Sequence, residues 1–86
     1  MNIDEKIMKN PDEWPLWPFL PVKRIINDKY QFGILVDGDP DYENTVILAQ
    51  MHHHIRSLND YDKLKYYPKL KYNSIDEILK DGWVVD

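Results

Sequence analysis

"YQFGILVD", residues 30–37, is the stretch on which the fold of this chain turns. Every even position, Tyr30, Phe32, Ile34 and Val36, is apolar, whereas Gln31, Gly33 and Asp37 interrupt the odd side. Side chains on a strand alternate between faces with period two, so the pattern predicts a strand with one buried face. Upstream, "VKRIIN" (22–27) has β-branched character and reads as a preceding strand that turns at "NDK". Downstream, "DGDPDYEN" (37–44) is a turn-rich connection, and "TVILAQM" (45–51) reads as a third strand returning antiparallel to the second. A three-stranded meander over 22–51 is the result.

The C-terminal segment "NSIDEILKDGWVVD" carries a helix start and stop signal. Ser74 is placed as N-cap, Glu77 completes a capping box, Ile75, Ile78 and Leu79 form an apolar face, and Gly82 suits the left-handed position past the helix end. A helix over 75–80 follows, and "WVVD" then runs extended, apolar enough to be paired in the sheet. Burial of Trp83 alone is worth roughly 2–3 kcal/mol, a large share of a small domain's stability. Between these signals, Ile55, Leu58, Tyr61, Leu64, Tyr67 and Leu70 recur every third residue, a spacing that winds around an α-helix instead of lining one face. A short helix near 54–60, irregular chain and a short strand "KLKY" at 69–72 account for Pro68 better than one long helix. "KLKY" occurs at 63 and again at 69, too few copies for a repeat architecture.

At the other end, a short amphipathic helix is expected over 3–9, with Asn2 as N-cap and Pro11 beyond its end. "WPLWPFLP" (14–21) comes next, with prolines at 15, 18 and 21, the three-residue period of polyproline II. In that geometry Trp14, Trp17 and Leu20 share one edge and Leu16, Phe19 and Val22 another. Such an arm is extended and restricted, so it loses little entropy on lying along a surface.

Eighty-six residues make one domain, since a chain of this size buries only about two-thirds of its unfolded surface and cannot sustain two cores. Within it the reading separates an N-terminal helix and Trp/Pro arm (1–21), the meander (22–51), and short helices with C-terminal strands (52–86). The expected class is α+β: a mainly antiparallel sheet of four to five strands, two or three short helices and an extended proline-rich arm packed across it. Hydrophobic content of 43% with three Trp and six Tyr is too rich for a disordered chain. The absence of cysteine excludes a disulfide framework and a thiolate site and suits a reducing compartment. The start shows no apolar run of signal-peptide length, and no 18 consecutive apolar residues occur, so a cytoplasmic protein without membrane attachment is expected.

The order WP-x-LP-x-KR within "NPDEWPLWPFLPVKR", together with "YNSIDEILKDGWVVD" at the other end and the "FGILVDG" strand, resembles small uncharacterised proteins encoded by bacteriophages and prophages. The similarity covers about half of the chain and leaves out residues 52–68. It implies a phage origin, expression in a host bacterial cytoplasm and an accessory role, and it carries no catalytic or binding residue across.

Candidate chemistry divides among several short stretches. "HHH" (52–54) would place His52 and His54 on one side of an extended chain, where imidazoles could meet a metal, but the chain has no other histidine to complete a site. Polar residues ending a strand are the simpler account. Asp37, Asp39 and Asp41 match positions 1, 3 and 5 of a calcium loop, yet Tyr42 stands where glycine is needed and Leu48 where the bidentate glutamate belongs. A solvated loop is expected there. "KLKYYPKLKY" (63–72) offers Lys63, Lys65, Tyr66, Lys69 and Lys71 as a nucleic-acid surface of lysines and stacking tyrosines; the alternative is that the lysines blunt an exposed sheet edge.

No catalytic constellation is present in the sequence: Ser74 is accounted for as a cap and Ser57 has no placed base. The reading is therefore of a non-enzyme without a cofactor, acting by binding a macromolecule, first of all a protein. The partner-binding candidates are Trp14, Trp17 and Phe19, either displayed to an aromatic groove or closing the open face of the sheet. The alternatives are a nucleic-acid-binding module built on the Lys/Tyr segment and a homo-oligomeric structural or replication-assembly component. A net charge of -4 disfavours nucleic acid, because phosphate binding needs a concentrated positive surface.

Overall fold

A computed structural model describes residues 3–49 and 64–86 of the chain. Its elements are α1 (Ile3–Met8), β1 (Phe19–Ile26), β2 (Lys29–Val36), β3 (Thr45–Ala49), β4 (Lys69–Lys71), α2 (Ile75–Lys80) and β5 (Val84–Val85), with single 3-10 turns at Pro11–Glu13 and Pro40–Tyr42. The five strands form one antiparallel sheet in the order β4-β3-β2-β1-β5. The α+β class, the meander and the terminal strand stand as the sequence predicts. The helix expected near 54–60 and the Asn2 cap lie outside the described residues.

Local chemistry sets each boundary. The β1–β2 hairpin pairs Ile26 with Lys29 across two residues, Asn27 and Asp28, with φ of 52° and 64°. Asn and Asp tolerate this left-handed region, and a two-residue turn with both φ positive matches the twist of the strands it joins. At α2 the Ser74 hydroxyl accepts from the Glu77 N–H at 3.2 Å, while the Glu77 carboxylate reaches one residue further back than in a standard box, to the Asn73 N–H at 2.8 Å. Gly82, with φ of 93°, turns the chain out of the helix.

Alternation along β2 predicts one buried face, and the sheet instead buries both. Leu20, Val22, Leu35 and Val46 lie on one face beneath Met8, Trp14, Ile78 and Trp83, which α1, α2 and their flanks supply. Phe19, Ile34, Val36 and Ile47 lie on the other, under Leu64, Tyr42 and Tyr67. Gly33 and Leu35 sit on the supposedly polar side of β2 because both helices are docked there. At the hairpin end the apolar face is open: Tyr30 is 59% exposed and its cross-strand partner Ile25 is 64% exposed.

The extended arm is also replaced. Residues 14–18 fold into successive turns, with the Trp17 N–H on the Trp14 carbonyl and the Phe19 N–H on the Leu16 carbonyl, and the Trp17–Pro18 peptide bond is cis. Turns abolish the threefold edges of polyproline II. Trp14 and Leu20 therefore join one core face, Phe19 the opposite one, and Leu16 and Trp17 face solvent. β1 consequently begins at Phe19, three residues ahead of the Val22 that β-branching marks.

Trp83 closes the helix-covered face. A Cβ on Gly33 would collide with Cγ1 of Val46 and lie 3.2 Å from the Trp83 six-membered ring, so Val46 first and the ring beside it occupy the space that a side chain at 33 would fill. The Arg24 guanidinium sits over the same ring, 4.6 Å from its centroid. Trp83 Nε1 donates to the Tyr72 hydroxyl at 3.0 Å, that hydroxyl donates to Asp81 at 2.5 Å, and Arg24 Nη1 meets the same carboxylate oxygen at 2.6 Å. The indole is thus buried with its N–H satisfied.

Two predictions follow from this clamp. Gly33→Ala forces Val46 or Trp83 from its place and should lower stability by about 1–3 kcal/mol, read from denaturant midpoints at unchanged slope. Asp81 is held below the ordinary carboxylate value, first of all by the Tyr72 hydroxyl, against the opposing effect of desolvation, and with the further help of Arg24. A carboxyl lowered in the fold adds stability above its unfolded value and loses it as pH falls through the folded one. The melting-temperature advantage of the native chain over Asp81→Asn should hold at neutral pH and shrink below pH of about 4.

Candidate functional site

The three aromatic candidates separate into two kinds. Phe19 is buried beneath Leu64 on one face, and Trp14 is buried on the other, its Nε1 donating to the Ile7 carbonyl at 2.7 Å. Both close the sheet, and neither is available to a partner. Trp17 is 57% exposed, and its Nε1 donates to the Asp37 carboxylate at 2.9 Å. That bond fixes the indole at the end of β2, beside exposed Leu16.

Asp37 also borders a cleft of about 480 Å³ between the end of α1, the start of α2 and the β2–β3 connection. Met8, Trp14, Leu35 and Ile75 contribute its apolar wall, and Asp37, Asp39 and Glu43 its acidic lip. The spacing of acids that imitates a calcium loop has a local explanation: the Asp39 side chain accepts from the Asp41 N–H at 2.9 Å and caps the turn Pro40–Tyr42. Among the described residues no group of three or more His, Asp or Glu side chains is arranged to hold a metal. His52, His54 and Ser57 lie outside the described residues.

Charge around the cleft is one-sided. Lys9, the one basic residue among the described residues that line it, carries its Nζ 2.9 Å from Asp76 and 3.0 Å from Glu5. Those contacts, Asp76 first, hold its pKa above the ordinary lysine value and commit its charge to the helices. Tyr42, on the opposite wall, has its phenol pushed up by burial and then by the negative field of Asp39 and Asp41. Among the described residues that line the cleft, carboxylates therefore outnumber cations.

The Lys/Tyr segment is dispersed by comparison. Lys69 and Lys71 pair with Ile47 and Thr45 and lie on one side of the edge strand β4, while Leu70 turns to the other core. Lys69 Nζ donates to the Tyr67 carbonyl and sits 5.9 Å from the Tyr42 ring centroid. Lys65 covers the ring of Tyr66, which is 78% exposed, and Lys63 lies outside the described residues. Short edge strands carrying lysine are a known defence against edge-to-edge pairing.

No family model, curated protein or solved structure matches the chain. Among the described residues no helix is long and apolar enough to cross a membrane. The sequence marks Trp17 and the acids of 37–44 as separate features and does not join them. The cleft wall was hidden because Met8, Leu35 and Ile75 come from three distant segments; the one advance signal was the crowding of acids without a base in "DGDPDYEN".

The two tryptophans should part in experiment. Trp14→Ala removes a buried ring and its hydrogen bond and should cost about 3–5 kcal/mol, whereas Trp17→Ala should change stability by no more than about 1 kcal/mol. Urea unfolding of both variants checks this.

Proposed function

We propose that this chain is a small phage-type accessory protein that acts by binding another protein, without catalysis, and that Trp17 with Leu16 forms the contact. One observation carries the reading: an aromatic side chain is held outside the core by a hydrogen bond to Asp37, at the rim of a cleft. Large aromatic residues dominate binding energy where they bury on a partner, and one already fixed in place loses less rotamer freedom on doing so. The half-exposed indole matches that demand, because the fold spends its other two tryptophans, Trp14 and Trp83, on its own core.

The phage-type origin rests on the resemblance of the chain's two ends. The lysines of β4 support the nucleic-acid alternative less well, since they sit on a short edge strand and Lys69 is engaged with Tyr67 and Tyr42.

The test is affinity capture from bacterial lysate with the intact chain and with Trp17→Ala, after circular dichroism and melting show both to be folded. A specific protein should be retained by the first and lost by the second, with a loss of affinity of about thirtyfold for a binding hot spot. Identical retention by both would overturn the role of Trp17. Titration with duplex DNA and single-stranded RNA at low salt should show no complex; one that weakens steeply with salt would favour the alternative.

A further inference from the structure

The chain contains two Asp–Gly pairs, Asp37–Gly38 and Asp81–Gly82, and the fold treats them differently. Such a pair is prone to spontaneous isomerisation, because glycine has no Cβ to obstruct attack by its backbone nitrogen on the preceding carboxyl carbon. In the second pair both reacting groups are committed. The Gly82 N–H donates to the Leu79 carbonyl at 3.0 Å, and the Asp81 carboxylate accepts from Tyr72 and Arg24. In the first pair the nitrogen is free: among the described residues the Gly38 N–H donates to no partner. Gly38 is exposed, and no atom lies within 4 Å of the place a Cβ on it would take, so a ring has room to close there. The Asp37 carboxylate accepts from Trp17 Nε1 at 2.9 Å through one oxygen, Oδ2. A donor on that oxygen stabilises the negative charge that gathers on it when the carboxyl carbon is attacked.

We propose that Asp37–Gly38 is a site of spontaneous backbone isomerisation, that Asp81–Gly82 is protected from it, and that the product releases Trp17 from its anchor. The Gly38 nitrogen bonds to Cγ of Asp37 in its neutral acid form, the Cγ–OH bond breaks, and the hydroxyl leaves as water with the proton of the Gly38 N–H. The cyclic imide then takes up one water. Cleavage of its Cγ–N bond restores aspartate, whereas cleavage between the main-chain carbonyl carbon and the nitrogen gives isoaspartate at unchanged mass. The chain then runs through Cβ and Cγ, and the free carboxylate sits directly on Cα. That carboxylate is drawn away from Trp17 Nε1, and the indole loses the bond that fixes it. The consequence for partner binding, a contact that weakens with age, rests on the protein-binding reading; the isomerisation does not.

The test is ageing of the intact chain at mildly acidic pH, both folded and unfolded in guanidinium, followed by labelling with an isoaspartyl methyltransferase and peptide mapping. In the folded chain isoaspartate should form at 37 at least about tenfold faster than at 81, where hydrogen bonds must first open. In guanidinium the two sites should react alike. Asp37→Asn and Asp81→Asn, each shown by circular dichroism to be folded, give a second comparison in which ammonia leaves in place of water. Position 37 of the first should convert while position 81 of the second persists. The purified isoaspartyl form should show a displaced Trp17 indole resonance. Equal rates at both sites of the folded chain, or reaction at 37 only after unfolding, would overturn the proposal. An unmoved Trp17 resonance in the isoaspartyl form would overturn the release of Trp17. Isomerisation at 37 in a chain that captures no partner would leave this inference standing and count against protein binding.

Discussion

Trp83 lying on Gly33 is the contact on which the rest of this small structure depends. Gly33 is opposite Val22 in the middle of the β1–β2 pair, and a methyl group there would meet Val46 and the indole at once. The ring thereby joins the last segment of the chain to the central strand, and β5 follows it directly into pairing with Val22 and Lys23. Around the ring, Arg24 from β1, Tyr72 from the end of β4 and Asp81 from the end of α2 share charge and protons. Two stretches distant in sequence, one holding Arg24 and Gly33 and the other Tyr72, Asp81 and Trp83, are tied at one point. With Trp83 and Ile78 held down, α2 and α1 can cover the same face, and the Val85 N–H finds its acceptor on Asp4.

That docking explains why the apolar wall of the cleft exists. Met8 and Ile75 belong to the helices that cover the sheet, and Trp14 is drawn under them by its bond to Ile7. The turn at 37–44 then stands as the opposite wall, stiffened by the Asp39 cap and by Asn44, whose side chain reaches the Asn73 carbonyl. Trp17 is left outside because the chain turns at 14–18 to place Trp14 on one face and Phe19 on the other. The exposed strip of Ile25 and Tyr30 lies at the opposite end of β2, where Lys23 sits over the Tyr30 ring. The two surfaces are therefore separate, and the one at the Val36 end borders the cleft.

Much of the fold was legible because its signals are local. The Asn27–Asp28 turn, the Ser74 cap and the Gly82 exit each follow from the conformational preference of one or two residues, and the strands between them follow from alternation. What the sequence could not display was burial, which depends on partners far along the chain. Leu35 reads as an isolated apolar residue on a polar side until α1 and α2 are seen above it. Gly33 reads as an interruption until Val46 and Trp83 are seen filling its place. The proline rhythm of "WPLWPFLP" misled for a related reason: a period of three in prolines permits polyproline II, but hydrogen bonds from Trp17 and Phe19 to the carbonyls of Trp14 and Leu16 bend the same residues into turns. For the site, Trp17 and the acids were visible and their adjacency was not, since the bond between Trp17 and Asp37 spans twenty residues.

The most direct test of this account is the proton NMR spectrum of Gly33. An indole ring seated against its backbone should shift one Gly33 α-proton well upfield and give nuclear Overhauser contacts to the six-membered ring of Trp83, both lost in Trp83→Leu. Gly33 α-protons at ordinary strand positions, without contacts to Trp83 in the native chain, would contradict it.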